Sequence, residues 1–555
     1  MIAYLVGILR DNPELAIFLT LAAGFAIGRV KIGSFKLGNV VGTLLAGVVI
    51  GQLDIDVHPL VKTVFFALFL FATGYKVGPQ FFRGLRKDAL RQVAVTAVLC
   101  LVSLATTVAA ARLLRYDCGT AAGLMAGAFT ESTVIGTAGD TIEKLNLSGE
   151  EIDHLQANIP VAYAVTYLVG TAFVVWFLSS LAPKLFRIDL KKEARELEAK
   201  TKLTESAEGD SAYREWAHRA YRVRGTHRTA GDLERAFAPA RVFVDRVRHA
   251  GTVVDATPDT PLHAGDVVAV TARRHVFVSS ANVFDGEVED RELLDFPIST
   301  LDVVVTKREA AGQRLVTLAE RQGRGVTLEK LVRGGQEIPF TAETEIDRGD
   351  VLRITGPVKD VERAGAALGY VERPTSESDV VFLGLGIVLG GLLGTIAVKV
   401  GGIPLSLTAS GGALIMGLVF GWLRSVRPTF GRIPEPALWV FDTIGLAVFI
   451  GVVGLSAGPT FVAGLKQTGP SLVVVGFLVA LIPHASAIAF GRYVLRMNPL
   501  ILLGACAGAG TQTAALRAIQ DEAGSKLPVL GYTVPYAVGN ILLTAWGPVI
   551  VLLTR

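Results

Sequence analysis

Long apolar runs alternate with short polar connections in the first and last thirds of the chain, whereas the middle third has none. A transmembrane helix needs about 20 predominantly apolar residues. The pattern therefore predicts an α-helical polytopic membrane protein of two halves, with about five spans in each and a soluble block between them. The runs lie at residues 15–30, 37–53, 60–75, 92–114 and 158–181, and at 380–400, 405–423, 438–455, 472–494 and 532–553.

One apolar segment in each half turns abruptly polar. Residues 126–132 read Ala-Gly-Ala-Phe-Thr-Glu-Ser, and residues 507–513 read Ala-Gly-Ala-Gly-Thr-Gln-Thr. Unpaired backbone groups are too costly to face lipid, so such a break is tolerated only where it lines a cavity. We predict that each break interrupts a helix within a re-entrant hairpin, the first at 118–142. Paired broken helices in the two halves point to the binding site of a transporter.

Further landmarks recur in the same order and predict that the two halves are a duplication. Residues 42–51 match 412–421, and residues 163–170 match 532–539. The glycines of 42–51 are expected to allow close helix packing. A second pair of landmarks is Gly-Pro, which we predict to form hinges because proline kinks or ends a helix. These hinge residues are Gly78, Pro79, Gly458 and Pro459.

Composition supports a membrane protein and argues against several other classes. The 555 residues are 51% hydrophobic, with 60 glycines and a mean hydropathy of +0.48, which is too apolar for an ordinary soluble enzyme. The net charge of +4 comes with no basic tract interleaved with aromatic residues, so nucleic acid is not an expected partner. The three cysteines have no metal-ligand spacing, and no catalytic constellation is recognisable. We therefore predict no enzyme activity, no metal site and no cofactor.

Charged residues predict how the chain crosses the bilayer. Basic loops at 29–36, 83–91 and 184–192 are expected on the cytoplasmic side, and the acidic 54–56 loop on the outer side. With a re-entrant hairpin in each half, residues 184–378 are then cytoplasmic and both termini are external. Because the first half starts outside and the second inside, the repeats are predicted to be inverted.

The soluble block holds more than half of the Lys and Arg residues and most of the Asp and Glu residues. Short β-branched runs at 241–244, 267–270, 301–305 and 351–354 predict strands, two of them entered through Gly-Asp turns. No G-x-G-x-x-G fingerprint indicates a nucleotide domain. The predicted domains are a first transmembrane repeat (1–183), a cytoplasmic linker helix (184–218), two α+β modules (219–284 and 285–372) and a second transmembrane repeat (373–555).

The two α+β modules resemble the C-terminal ligand-binding modules of potassium-conductance regulators, known as TrkA-C or RCK-C domains. The better match is the second copy, with Ile-Thr-Gly at 354–356 and Asp-Val-Glu-Arg-Ala at 360–364. The resemblance implies regulation by a small ligand or by dimerisation. A pure assembly scaffold is an equally weighted alternative, because a fold does not establish a site.

Together, the repeated Gly-x-x-x-Gly-Pro motifs, the paired polar breaks and the inserted modules resemble the aspartate:alanine exchanger family. The resemblance covers nearly the whole chain. It implies a secondary antiporter of the bacterial inner membrane that exchanges amino acids or related small carboxylates. It also implies a homodimer that works by an elevator-type alternating-access mechanism.

A carboxylate substrate needs hydrogen-bond donors, and the breaks offer hydroxyl groups, an amide and the positive ends of helix dipoles. Arg517 is the predicted counter-ion of a substrate carboxylate. Glu131 has the neutral Gln512 as its repeat mate, and its predicted ligand is a cation, a proton or a substrate ammonium group. The complete predicted substrate site is Thr130, Glu131, Ser132, Thr133, Tyr163, Gly510, Thr511, Gln512, Thr513, Arg517, Tyr536 and Asn540.

A monovalent-cation channel or cation/proton antiporter, regulated by the TrkA-C-like modules, is the competing hypothesis. Such modules are commoner on potassium systems. The chain has no T-V-G-Y-G filter and no obvious paired aspartates in its spans, which favours carboxylate exchange.

Overall fold

A computed structural model of the chain divides into two compact units. The membrane unit comprises Met1–Glu196, Gly334–Gln336 and Thr375–Arg555, and the β-sheet unit comprises Leu197–Arg333 and Glu337–Pro374. Parts of the predicted basic loop (85–88) and of the predicted linker (202–215) lie outside the described residues. The structure describes residues 2–32, 35–36, 38–84, 89–201, 216–224, 229–238, 240–279, 284–333, 336–372, 377–400, 403–406, 408–427 and 430–555.

Among its described residues, the first half of the membrane unit contains helices and one short two-stranded sheet. Glycine and alanine make up most of the buried short helix α6, and the predicted break separates it from a second short helix, α7. A π-helical turn at Phe177–Leu181 extends α8. The elements are α1 Ile2–Asp11, α2 Pro13–Gly28, β1 Lys31–Ile32, β2 Phe35–Lys36, α3 Asn39–Gly51, α4 Pro59–Gly84, α5 Leu90–Leu114, α6 Cys118–Ala128, α7 Thr133–Ile142, α8 Gly149–Trp176, α9 Ala182–Leu185 and α10 Leu190–Thr201.

The β-sheet unit contains two five-stranded antiparallel sheets with the same topology. The strand orders are β5-β4-β6-β3-β7 and β10-β9-β11-β8-β12. All four strands predicted from β-branched runs are present, as β4, β6, β8 and β11. The elements are β3 Trp216–Val223, α11 Ala230–Ala236, β4 Val242–His249, β5 Thr252–Asp255, β6 Val267–Arg273, α12 Arg274–Ser279, β7 Phe284–Glu287, α13 Arg291–Leu294, β8 Ile298–Val305, α14 Leu315–Gln322, β9 Thr327–Arg333, β10 Gln336–Ile338, β11 Val351–Pro357, α15 Val358–Leu368 and β12 Gly369–Glu372.

The central strand of each sheet is entered through the predicted Gly-Asp turn. Gly265 and Gly349 have φ angles of 92° and 90°, a left-handed region that glycine adopts without the cost imposed by a β-carbon. Between the two sheets, Arg324 donates a hydrogen bond of 2.8 Å to the carboxylate of Glu234. The separate β-sheet region is thus confirmed as two copies of one arrangement.

Apart from α1, the second half of the membrane unit repeats the element order of the first. A helix, a two-stranded sheet and a second helix come first, then a long helical stretch, a broken helix pair and a last long helix. π-helical turns lie at Val440–Ile444 and Phe490–Val494. The elements are α16 Val380–Gly394, β13 Ala397–Val400, β14 Ile403–Ser406, α17 Thr408–Val426, α18 Glu435–Trp439, α19 Gly445–Ala489, α20 Pro499–Ala509, α21 Thr513–Ala523 and α22 Val529–Thr554.

Seven helical segments among the described residues are long and apolar enough to cross a membrane. Five shorter apolar helices, including α6 and α20, accompany them. The prediction of a polytopic helical membrane protein with two interrupted helices is therefore confirmed. The seven segments are Pro59–Phe82, Leu90–Leu114, Gly149–Leu185, Thr408–Val426, Glu435–Lys466, Thr468–Val494 and Val529–Thr554.

Glycines of the repeated landmarks allow helices of the first half to pack closely against helices of the second half. A β-carbon added to Gly47 on α3 would lie 3.1 Å from Cα of Gly454 on α19, and one added to Gly454 would lie 3.1 Å from Cα of Gly47. The same relationship joins α4 to α17, since a β-carbon on Gly417 would lie 3.1 Å from Cα of Gly74. Small residues allow this close approach of backbones. Each half thus packs its glycine-rich helix against the long helix of the other.

Candidate functional site

The first break begins where α6 ends. The N–H of Glu131 donates to the carbonyl of Ala126 at 2.8 Å, and the N–H of Thr130 donates to that of Gly127 at 3.0 Å. These two bonds form a Schellman motif, which requires a left-handed residue, usually glycine, just after the helix. Here that residue is Thr130, with a φ angle of 55°.

The second break repeats this geometry at the end of α20. Gln512 N–H donates to Ala507 at 2.8 Å, Thr511 N–H donates to Gly508 at 2.8 Å, and Thr511 also has a φ angle of 55°. A β-branched residue is an outlier in the left-handed region. Strained backbone of this kind clusters at functional sites, and here it occurs twice at matched positions.

A tyrosine on a long helix bonds to the last residue of each break. The Ser132 and Tyr163 hydroxyls lie 2.8 Å apart, and the Thr513 and Tyr532 hydroxyls also lie 2.8 Å apart. Tyr163 lies on α8 and Tyr532 on α22, the long helix that follows the broken pair in each half. Both breaks are therefore fixed to their own half by the same type of bond.

The two breaks are in direct contact. The Thr511 hydroxyl donates a hydrogen bond of 2.7 Å to the carbonyl oxygen of Phe129. The imidazole of His484, on α19, stacks on the Phe129 ring with centroids 5.7 Å apart. Gly510 leaves room for this imidazole, because an added β-carbon would lie 2.6 Å from its Nε2. One buried junction thus contains residues of both breaks and of α19.

The breaks differ in the polar side chain that each one buries. Glu131 is 4% exposed and Gln512 is 2% exposed. The Thr133 hydroxyl lies 2.6 Å from a Glu131 carboxylate oxygen and 2.6 Å from the Thr544 hydroxyl. The Thr544 hydroxyl in turn donates to the carbonyl of Asn540 at 2.6 Å.

Two polar atoms at the junction have no hydrogen-bond partner within the part of the chain that the structure describes. They are Nε2 of Gln512 and Nε2 of His484. Nδ1 of His484 lies 2.7 Å from the carbonyl oxygen of Ala480, to which it can donate, leaving Nε2 as an acceptor. Leaving such atoms unpaired costs about 1–3 kcal/mol each. A ligand with both an acceptor and a donor would satisfy them.

The structure brings most of the predicted site residues together. Thr130, Glu131, Ser132, Gly510, Thr511, Gln512 and Thr513 lie in the breaks, Thr133 bonds to Glu131, and Tyr163 bonds to Ser132. Tyr536 and Asn540 are adjacent on α22, where the Tyr536 ring stacks on Tyr532 with centroids 5.2 Å apart. Arg517, on α21, has an exposed side chain that interacts electrostatically with Tyr532. The predicted hinge prolines Pro79 and Pro459 lie inside continuous helices, α4 and α19.

Sequence reasoning missed several residues of the site. Tyr532 was visible as the repeat mate of Tyr163, whereas Thr544 carries no comparable signal. His484 is a lone histidine in an apolar run, to which the sequence assigned no role. An ion pair was also missed, between Lys76 on α4 and Asp442 in a π-helical turn, with Nζ 2.8 Å from a carboxylate oxygen.

Comparison with known proteins agrees with this architecture. A family model described as "Predicted Permease Membrane Region" matches residues 16–183 and 382–552, which cover most of the membrane unit. The chain is 43% identical to an uncharacterized transporter of Shewanella oneidensis, with 98% of each chain aligned. It is 39% identical to one of Bordetella bronchiseptica, over 99% of this chain and 98% of the relative. No solved structure was found to match it significantly.

The protein is therefore a multi-pass membrane transporter. Because the family model covers more than half of its length, the chain belongs to the Asp-Al_Ex permease family.

Proposed function

We propose that the protein is a secondary antiporter that exchanges amino acids or related small carboxylates. The observation that carries this proposal is the junction of two matched helix breaks, joined by the bond from Thr511 to Phe129. Broken helices from two repeats are a recurring way to build a transporter's substrate site.

The chemistry of the junction suits a small carboxylate. The amide of Gln512 has a buried, unpartnered nitrogen, which offers donors to a carboxylate oxygen. Helices α7 and α21 begin directly after the breaks, so the positive ends of their dipoles lie at the same place. The acceptor at Nε2 of His484 and the carboxyl group of Glu131 suit a substrate that also carries donors, such as an amino acid.

The arrangement in the membrane is part of the same proposal. We place the protein in the bacterial inner membrane, with residues 184–378 in the cytoplasm and both termini outside. The repeats are then inverted, and alternating access follows when they exchange conformations, by an elevator-type movement within a homodimer. Under this proposal the β-sheet unit is a pair of TrkA-C modules that regulate transport through a small ligand.

Counterflow in proteoliposomes tests the function. Uptake of labelled aspartate, alanine or succinate, driven by the same unlabelled compound inside and independent of sodium or potassium gradients, is the expected result. Gln512→Leu is expected to lower this uptake at least tenfold, whereas Gln520→Leu, at a partly exposed position of α21, is expected to retain it. Cation flux without carboxylate transport would instead support a cation channel or cation/proton antiporter.

A further inference from the structure

Three short hydrogen-bond contacts run in series from Glu131 to the backbone of α22. They join the Glu131 carboxyl group to the Thr133 hydroxyl, that hydroxyl to the Thr544 hydroxyl, and the Thr544 hydroxyl to the carbonyl of Asn540. Each oxygen–oxygen distance is 2.6 Å. At this distance a hydrogen must lie between the two oxygens, because O–H···O bonds range from about 2.5 to 3.0 Å.

Counting hydrogens decides the protonation state of Glu131. The series has three contacts, but the hydroxyls of Thr133 and Thr544 supply only two hydrogens. The terminal group, the Asn540 carbonyl, can only accept. If Glu131 is ionised, both ends of the series accept and one contact has no hydrogen. If Glu131 is protonated, each group donates to the next and all three contacts are satisfied.

We infer that Glu131 is a proton-binding site of the transporter and holds a proton in this conformation. The protonation of Glu131 follows from the hydrogen count and does not depend on the substrate. Only the role of Glu131 in transport rests on the proposed exchange function. In a substrate-bound or oppositely oriented state, Glu131 would then release this proton and become ionised. Exchange would accordingly depend on pH through this residue.

Within the part of the chain that the structure describes, few ionisable groups lie near Glu131. Cys100 on α5, Tyr163 on α8 and Tyr536 on α22 interact electrostatically with its carboxyl group. His484 reaches the same junction from α19 through its contact with Phe129. The other charged groups near α7 lie farther from Glu131, either towards the C-terminal end of α7 or near Tyr536. They are Asp140 and Glu143 on or just beyond α7, Lys62 on α4, and the Lys76–Asp442 pair.

Backbone and hydroxyl groups also approach the Glu131 carboxyl group. The Thr133 N–H is directed at it, and the Thr511 hydroxyl lies near it. The Thr511 hydrogen is already donated to the Phe129 carbonyl, so Thr511 adds no hydrogen to the series. These groups leave the count unchanged.

Infrared difference spectroscopy on the full-length protein in proteoliposomes tests the proton directly. Subtracting the spectrum of Glu131→Gln from that of the wild type is expected to leave the carbonyl stretch of one protonated carboxyl group at neutral pH. The glutamine amide can donate to Thr133 as the protonated acid does, so this variant is expected to fold. Absence of the band would overturn the proposal. Glu143→Gln, which alters a half-exposed carboxylate outside the series, serves as the control.

Transport provides a second measurement. Wild-type counterflow is expected to change at least threefold between pH 5 and pH 8, because Glu131 releases its proton as the pH rises, whereas Glu131→Gln is expected to show a flat profile. An unchanged profile in the variant would contradict a role for Glu131 in coupling. If the wild type shows the infrared band but no carboxylate exchange, the proposed function fails while the proton site stands.

A separate observation concerns the first sheet of the β-sheet unit. His249 ends β4, and His263 and Asp266 lie in the turn before β6. Nδ1 of His249 and Nδ1 of His263 lie 2.7 and 3.5 Å from the two carboxylate oxygens of Asp266. One ligand atom from each residue lies within 4.8 Å of the others. Asp266 is buried at 5% exposure, whereas both imidazoles are more than half exposed.

In the second sheet, the residue equivalent to Asp266 is Asp350, and an arginine balances its negative charge. There Arg333, which ends β9 as His249 ends β4, donates to both carboxylate oxygens of Asp350 at 2.7 and 2.5 Å. The N–H of Asp347 also donates to Asp350 at 2.7 Å, as His263 N–H donates to Asp266 at 2.8 Å. The permanent positive charge that faces Asp350 is thus replaced in the first sheet by two imidazoles.

We propose that His249, His263 and Asp266 bind a divalent transition-metal ion such as Zn²⁺, Ni²⁺ or Co²⁺. Imidazole nitrogens suit these ions, and the metal supplies the positive charge that Arg333 supplies to Asp350. Ligands of a tetrahedral zinc site lie about 3.3 Å apart, which half-exposed side chains can reach by small rotations. Three protein ligands leave a coordination position open for water or for a small ligand.

Metal titration of the full-length protein tests this site. The protein is prepared without a histidine tag, stripped with chelator and titrated with Co²⁺ by visible absorption and with Zn²⁺ by calorimetry. One ion per chain is expected, with affinity reduced at least tenfold by His249→Ala or His263→Ala and unchanged by His154→Ala, an exposed histidine elsewhere. His249→Arg copies the second sheet, so it is expected to fold and not to bind. Stoichiometric binding that survives in His249→Arg, or no binding by the wild type, would overturn the proposal.

Discussion

The hydroxyl of Thr511 lies 2.7 Å from the carbonyl oxygen of Phe129 and joins the second helix break to the first. The donor and the acceptor come from different halves of the chain, and both lie where a helix has just ended. Any movement that separates the two halves at this point has to break or exchange this bond.

Removing that hydroxyl should therefore weaken the junction. Thr511→Val keeps the shape of the side chain but leaves the Phe129 carbonyl without its donor, which costs about 1–3 kcal/mol for a buried group. We expect a lower melting temperature in detergent and loss of most exchange activity. Thr511→Ser keeps the hydroxyl and should retain both. Equal behaviour of the two variants would show that the bond contributes nothing.

The tyrosine contacts predict matched effects in the two halves. Tyr163→Phe and Tyr532→Phe each remove one hydroxyl-to-hydroxyl bond at 2.8 Å, and each should cost about 0.5–1.5 kcal/mol of stability. Thermal unfolding in detergent measures both losses, and Tyr493→Phe, at an exposed tyrosine, is the control. A loss confined to one of the two variants would contradict the equivalence of the breaks.

Crosswise glycine packing makes another prediction. Gly47→Ala places a methyl group 2.7 Å from the carbonyl oxygen of Gly451, and overpacking of this kind typically costs about 1–3 kcal/mol. A β-carbon on Gly391 of α16 has nothing within 4 Å, so Gly391→Ala is expected to be neutral or slightly stabilising. Comparing the melting temperatures of the two variants checks this, and similar values would argue against close packing at Gly47.

The ion pair of Lys76 and Asp442 predicts coupling between two distant parts of the sequence. Lys76→Gln or Asp442→Asn leaves a charge without its partner, whereas the double variant removes both charges. Because both side chains are partly exposed, the coupling energy is expected to be on the order of 1 kcal/mol. A double-mutant cycle of unfolding free energies measures it. Strictly additive single effects would show that the pair is not coupled.

Periodicity and repetition predicted the features that depend on local sequence. The break at 126–132 is visible because Thr-Glu-Ser interrupts an apolar run, and the strand after Gly349-Asp350 is visible because its turn residues are local signals. The residues that meet across the fold were not predictable in this way. Nothing near His484 in the sequence indicates that it will contact Phe129, and nothing near Gly47 identifies Gly454 as its neighbour.

The repeat pattern and local spacing indicate where site residues lie in the chain, but not which contacts each side chain makes. The matched segments 163–170 and 532–539 pair Tyr163 with Tyr532, and Tyr532 makes the matching bond to Thr513, although the predicted site named Tyr536 on the same helix. Arg517 was chosen because it lies one helical turn beyond Gln512. Its exposure depends on how α21 is rotated in the fold, which local spacing does not determine.

The crosswise pairing of α3 with α19 and of α4 with α17 has a consequence for biosynthesis. Helices α3 and α4 are made long before their partners, because the whole β-sheet unit is translated in between. The glycine faces of α3 and α4 that contact α19 and α17 therefore lack these partners until the last third of the chain leaves the ribosome. The final assembly of this transporter is thus a late, post-insertion event, and a truncated chain that ends after the β-sheet unit has no means of completing its membrane core.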